Sequence, residues 1–215
     1  TCTPKYSARY RLDVQASLVK IVPTRKPSLV RRLVNRLAKP APRKLPKSIL
    51  DLALPRGQAG VANNPEDIDA RLYLGMIYRN TGQYKEAAEQ LNKAIELDES
   101  RPEPYYELSF VYEKNNQINK AIRVLAKAIE RAPEFEWAYY RLGTIYLDSG
   151  KIDKAVQVLK ATLALNPLSA DTHFFLGQAY EKQGEPELAL AEYEESLEYV
   201  PDFLEAKAAI RRLAN

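Results

Sequence analysis

At 215 residues, with 46% hydrophobic content and a mean hydropathy of -0.42, the chain can build one domain with a real core, or a domain and a tail. A single cysteine excludes an internal disulfide framework and a cysteine-based zinc cluster within one chain, and no apolar run approaches the roughly eighteen residues of a spanning helix. The net charge of +4 hides two opposed parts: residues 1–64 hold 14 Lys+Arg against 2 Asp+Glu, and residues 65–215 hold 18 against 26.

The chain opens on Thr1, not Met, so it is either processed or trimmed, and the processed reading would carry an expectation of an envelope or membrane-associated setting over free cytoplasm. Cys2 invites a lipid anchor, but lipoprotein processing leaves the cysteine itself first, so a free, exposed thiol is the plainer expectation. Residues 6–18, YSARYRLDVQASL, alternate without a break, with Tyr6, Ala8, Tyr10, Leu12, Val14, Ala16 and Leu18 on one side. That is a strand pattern with no partner strand elsewhere in the chain. It predicts either strand addition to a sheet in another subunit, through Tyr10, Leu12 and Val14, or an irregular tail.

Residues 28–38 read as an amphipathic helix, capped by Ser28 and stopped by Pro40 and Pro42. Leu29, Val30, Leu33, Val34, Leu37 and Ala38 fill one half of its circumference, and Arg31, Arg32, Asn35 and Arg36 the other. So short a helix should persist only when docked. An anionic membrane, a partner's groove, or the acidic repeats of this chain or a sister copy could receive it. Nucleic acid is the least favoured partner, because the arm lacks interleaved aromatics and no DNA-binding motif surrounds it. Residues 39–64, with Pro40, Pro42, Pro46, Pro55 and RGQAGVANN, have a linker composition, with one or two apolar turns at SILDLAL, 48–54. Residues 1–64 thus read as a basic arm.

From residue 65 onward the chain repeats at a fixed period: LGMIYRNTG at 74–82, LSFVYEKNN at 108–116, LGTIYLDSG at 142–150 and LGQAYEKQG at 176–184. The period continues through Ala87, Ala121, Ala155 and Ala189, and through Leu91, Leu125, Leu159 and Tyr193. Gly75, Ser109, Gly143 and Gly177 are small where two helices must approach closely. Gly82, Asn116, Gly150 and Gly184 suit a left-handed residue after the first helix of each unit. Pro133, Pro167 and Pro201 close the second helices. Asn64 reads as the cap and Pro65 as the first residue of the opening helix.

These motifs resemble tetratricopeptide repeats, helix-turn-helix units that stack into an all-α solenoid. The resemblance covers residues 65–203 as four units, about 68–101, 102–135, 136–169 and 170–203. Residues 204–215 form a capping helix, with Phe203, Leu204, Ala206, Ile210 and Leu213 on its apolar side. Arg71 departs from the pattern where a large aromatic is common, and Glu99 replaces the first closing proline.

The family's geometry implies that the first helix of each unit lines a concave groove. Leu72, Tyr106, Tyr140 and Phe174 fall on that stripe, followed by Met76, Phe110, Thr144 and Gln178, with Trp137 as a further anchor. Asp69, Glu103, Glu113, Asp148, Asp171 and Glu181 outnumber Arg79, Lys114 and Lys182 around it, so an apolar, basic protein segment is the expected ligand. The lysine and asparagine clamp that grips chaperone tails is not matched.

No catalytic constellation emerges. His173 is the sole histidine, the repeat accounts for the glycines at 75, 82, 143, 150, 177 and 184, and neither metal nor cofactor is expected. The expected role is a non-catalytic scaffold or adaptor, a subunit or assembly factor of a larger complex, joined to a second body by its arm. The alternative is a peripheral membrane assembly factor whose basic amphipathic arm lies on lipid.

Overall fold

The structure, a computed structural model, describes residues 47–214 and contains ten helices and no strand among them. They are α1 (Lys47–Asn63), α2 (Ile68–Asn80), α3 (Tyr84–Leu97), α4 (Pro102–Lys114), α5 (Ile118–Arg131), α6 (Glu136–Asp148), α7 (Ile152–Leu165), α8 (Ala170–Gln183), α9 (Pro186–Tyr199) and α10 (Leu204–Leu213). Two compact units are present, Pro42–Ser149 and one that includes Gly150–Asn215. The strand-like segment 6–18 and the amphipathic segment 28–38 lie outside the described residues, and with them Tyr10, Leu12, Val14, Leu29, Arg31, Arg32, Leu33, Arg36 and Leu37.

Local chemistry sets the helix boundaries. Asp67 and Ser169 accept hydrogen bonds from the backbone N–H groups of Ala70 (2.9 Å) and Thr172 (3.3 Å), capping α2 and α8. Pro102 and Pro186 open α4 and α9, where a missing N–H costs nothing. After each first helix the backbone turns left-handed, at Gly82 (φ 82°), Asn116 (φ 56°), Gly150 (φ 71°) and Gly184 (φ 82°). Asn64 is not the cap of α2. Asp67 holds that place, because its carboxylate reaches the N–H that α2 leaves unpaired, and Pro65 sits in the preceding turn.

Small residues bring the paired helices together. A Cβ on Gly75 would stand 2.8 Å from Leu91 Cγ, and one on Gly177 would stand 2.7 Å from Tyr193 Cε1. Leu91 and Leu125, on the second helices that pair with α2 and α4, are fully buried, each worth about 2–5 kcal/mol against truncation to alanine. In α10, Ala206 and Ala209 are buried, whereas Leu204, expected on the apolar side, is 72% exposed. It is the first residue of its helix and has no preceding turn to pack over.

The linker expected over 39–64 is helical from Lys47 to Asn63. Proline at position 55 removes one backbone donor, but Pro55 is exposed, and the opposite side of α1 packs on α2. Gly57 is buried there, with its absent Cβ position 3.1 Å from Leu74 Cδ1 and 3.2 Å from Ile77 Cδ1. Packing overrides composition. A signal was available: Ala53, Gly57, Gly60 and Pro65 stand one full period before Ala87, Leu91, Ala94 and Glu99, so the repeat reaches back into α1.

Candidate partner-binding site

In Pro42–Ser149 the first helices α2, α4 and α6 form the inner row on which the sequence placed a groove. Five of the nine nominated residues are core. Leu72, Tyr106, Phe110, Thr144 and Phe174 are buried, while Met76, Trp137, Tyr140 and Gln178 are half-buried. Tyr106 meets Phe110 and Phe135 edge-on at 5.0 and 5.9 Å, and Phe174 packs 4.9 Å from Phe203 and 5.6 Å from Tyr193. Aromatic rings on this stripe therefore join neighbouring helices first. The part still reachable in this unit is Met76, Trp137 and Tyr140.

The charges are also internally engaged. Arg101 binds Asp69 at 2.8 Å and Glu103 at 3.3 Å. Burial alone would lower the Arg101 pKa, but Glu103 and Asp69 outweigh it and hold the guanidinium above its ordinary value. Arg79 pairs with Glu107 at 3.0 Å, and Arg141 pairs with Glu113. Both guanidinium carbons lie over the Phe110 ring, at 5.2 Å for Arg79 and 4.0 Å for Arg141. Arg79 Nη2 and Arg141 Nε are buried without a hydrogen bond, and the ring's negative face lies beside them. In the second unit, Glu181 receives hydrogen bonds from Tyr193 Oη at 2.8 Å and Arg212 at 2.7 Å.

These pairs correct the expected electrostatics. Asp69, Glu103, Glu113 and Glu181 have cationic partners of the chain's own, so an acidic groove that selects a basic ligand is not what the residues form. Sequence reasoning passed over Arg101, Glu107 and Arg141. Their signal was present in the repeat, since Arg79 stands one period before Glu113 and Glu107 one period before Arg141: the sign reverses on both helices together.

His173 has a structural role that Arg71 and Tyr105 share at the same place in the period. Each donates to a carbonyl in the turn before its helix: Arg71 Nε to Pro65 O at 2.6 Å, Tyr105 Oη to Glu99 O at 3.3 Å and His173 Nε2 to Pro167 O at 3.2 Å. Burial, aided by Glu99, raises the Tyr105 pKa. Arg71 also reaches Gln90 at 3.0 Å and His173 reaches Glu192 at 2.7 Å, so each ties the turn to its own second helix. The departure from an aromatic at Arg71 keeps the donor.

The comparisons agree with this architecture. Residues 140–203 and 102–135 each match a tetratricopeptide repeat family, and residues 75–116 match a TPR repeat family. No curated protein sequence matches the chain. Among solved structures, MamA is similar at 28% identity over 72% of this chain and 91% of its own, with a TM-score of 0.64. YrrB, described as a TPR protein with an unusual peptide-binding site, shares the fold at 20% identity over 93% of this chain and 99% of its own, TM-score 0.61. The pilF protein of Pseudomonas aeruginosa shares it at 22% identity over 68% of this chain and 67% of its own, TM-score 0.64. A fixed repeat period, left-handed turns at matching places and small residues at the helix crossings, together with these matches, make the chain an all-α tetratricopeptide repeat protein.

Proposed function

We propose that this protein is a non-catalytic docking scaffold whose inner row holds an apolar segment of a protein partner, while residues N-terminal to the repeats make a second contact. The observation that carries the reading is the half-buried trio Met76, Trp137 and Tyr140. Large side chains of these types, left partly in water beside a rigid charged network, are the anchors that interfaces favour. Ion pairs around Phe110 keep the row in one shape, so a partner segment meets a preorganised surface. YrrB, which shares the fold, carries a peptide-binding site by its description, and the same kind of surface is used here for a peptide whose side chains are chiefly apolar.

Trp137 is the only tryptophan, so its fluorescence reports occupancy directly. Wild type and the Met76→Ala/Trp137→Phe/Tyr140→Ala variant are compared as baits against a peptide array, and hits are titrated against wild-type fluorescence. Apolar peptides that bind wild type, shift Trp137 emission and lose affinity in the variant support the proposal. Hits that are indifferent to the variant, or a chain that associates only with anionic vesicles, overturn it.

A further inference from the structure

Two of the second helices expose charge of a single sign. On α5, Lys120, Arg123, Lys127 and Arg131 are all exposed, and at 3.6 residues per turn they fall within about 80° of the helix circumference. Glu130 is the one acid of that helix. On α9, Glu187, Glu194, Glu195 and Glu198 are all exposed, and that helix has no basic residue.

The repeat does not call for either row. One period before Lys120 and Arg123 stand Glu86 and Glu89, exposed at the same places of α3. One period before Glu187, Glu194 and Glu198 stand Asp153, Lys160 and Ala164 of α7. The fold therefore accepts either sign, or none, at these places. Each row also works against its own helix, because Arg123 and Lys127, Lys127 and Arg131, and Glu194 and Glu198 are like charges four residues apart. Relief within the chain is slight. Arg131 pairs with Glu99 at 2.9 Å and Lys120 lies 5.5 Å from the Tyr112 ring centre, while Arg123, Lys127 and the four glutamates have no ion pair among the described residues.

We infer that α5 of one copy of this protein docks along α9 of a second copy, cation row against carboxylate row. Both rows run about 16 Å from first to last member. They also share a spacing: Lys120, Lys127 and Arg131 fall in step with Glu187, Glu194 and Glu198, so parallel helices bring three opposite pairs together at once. Opposite charge then removes the repulsion that each row imposes on its own helix. Lipid suits α5 less well, because Ala126 is the only apolar residue exposed on it and nothing bulky is there to insert. Exposed ion pairs are individually weak, so the association should be reversible and steeply dependent on salt. No member of either row belongs to the peptide site on Met76, Trp137 and Tyr140, and the two proposals fail separately.

Sedimentation velocity on the full chain tests it. Wild type should self-associate at low ionic strength, and its association constant should fall at least about tenfold between roughly 0.02 and 0.3 M salt. Lys120→Glu/Arg123→Glu/Lys127→Glu and Glu187→Lys/Glu194→Lys/Glu198→Lys should each lower it at least about tenfold at low salt. The chain carrying all six changes keeps the wild-type net charge and again sets cations against carboxylates, so it should return to within about threefold of wild type. Thermal melting checks that each variant is folded, and glutamine at the same places serves the comparison if a reversed row unfolds its helix. Four results overturn the inference: wild type that stays monomeric at low salt, association that only one of the triple variants weakens, a six-residue swap that does not restore it, or a monomer that binds anionic vesicles through α5.

Discussion

The buried pair Arg79–Glu107 invites a decisive perturbation because its counterpart, Glu113–Arg141, has the opposite polarity. Glu107→Ala removes a carboxylate 3.0 Å from a guanidinium whose side chain is only 8% exposed. At an effective dielectric constant of about 20, the attraction across that distance is about 5 kcal/mol. Desolvation offsets most of it in the intact pair, so the pair adds little net stability while the loss of one partner strands a charge and costs about 3–5 kcal/mol. Arg79→Glu alone places two acids together and should cost at least as much. The double variant Arg79→Glu/Glu107→Arg writes the polarity of the second junction into the first and should recover most of the loss, a coupling of at least about 2 kcal/mol. Urea unfolding followed through Trp137, which lies on α6 in the same unit, measures all four proteins. Single variants that each cost under about 1 kcal/mol, or a double variant whose loss equals the sum of the singles, would refute the reasoning.

Gly177→Ala should destabilise the protein by about 1–3 kcal/mol, because the new methyl lands 2.7 Å from Tyr193 Cε1 and 3.1 Å from Ala189 O. Gly60→Ala is the contrasting case: its nearest neighbour is 3.7 Å away, so the helical gain of up to about 1 kcal/mol should raise the melting temperature. Ser100→Ala should move the Asp98 carboxyl back up toward 3.8, since hydrogen bonds from the Ser100 side chain and backbone hold it below that value. In wild type, Asp98 contributes stability that is complete above about pH 4 and lost as pH falls through its lowered value, and carboxyl NMR titration checks both statements. Tyr193→Phe removes the bond to Glu181 and should cost about 1 kcal/mol. Burial, then Glu181, raises the Tyr193 pKa above 10.0, so wild-type stability should decline as pH rises past 10 and the variant should decline less.

Much of the fold was legible because its determinants are local. A left-handed turn needs glycine or asparagine at one place, and Gly82, Asn116, Gly150 and Gly184 stand there. Close helix pairs need a small residue, and Gly75 and Gly177 each face a large partner on the next helix. Even α1 was readable by the period, but Pro55, Gly57 and Gly60 look like breakers when weighed one by one. Propensity is a weak prior once packing is present.

The sequence by itself determined the register of the repeat, the helix pairs and the small residues at their crossings, since each depends on a few neighbours in the chain and the helical period. Tertiary structure alone decided which residues of the apolar stripe stayed partly in water. Tyr106 and Phe110 lie on the same helix face as Met76 and Tyr140 would by periodicity, yet the first two are buried and the others are partly in water. It also decided that Glu107 and Glu113 bind Arg79 and Arg141 instead of facing a ligand. Burial and ion pairing are set by side chains on the next first helix, far off in sequence and a few ångströms away in space, and periodicity along one helix carries no information about that distance.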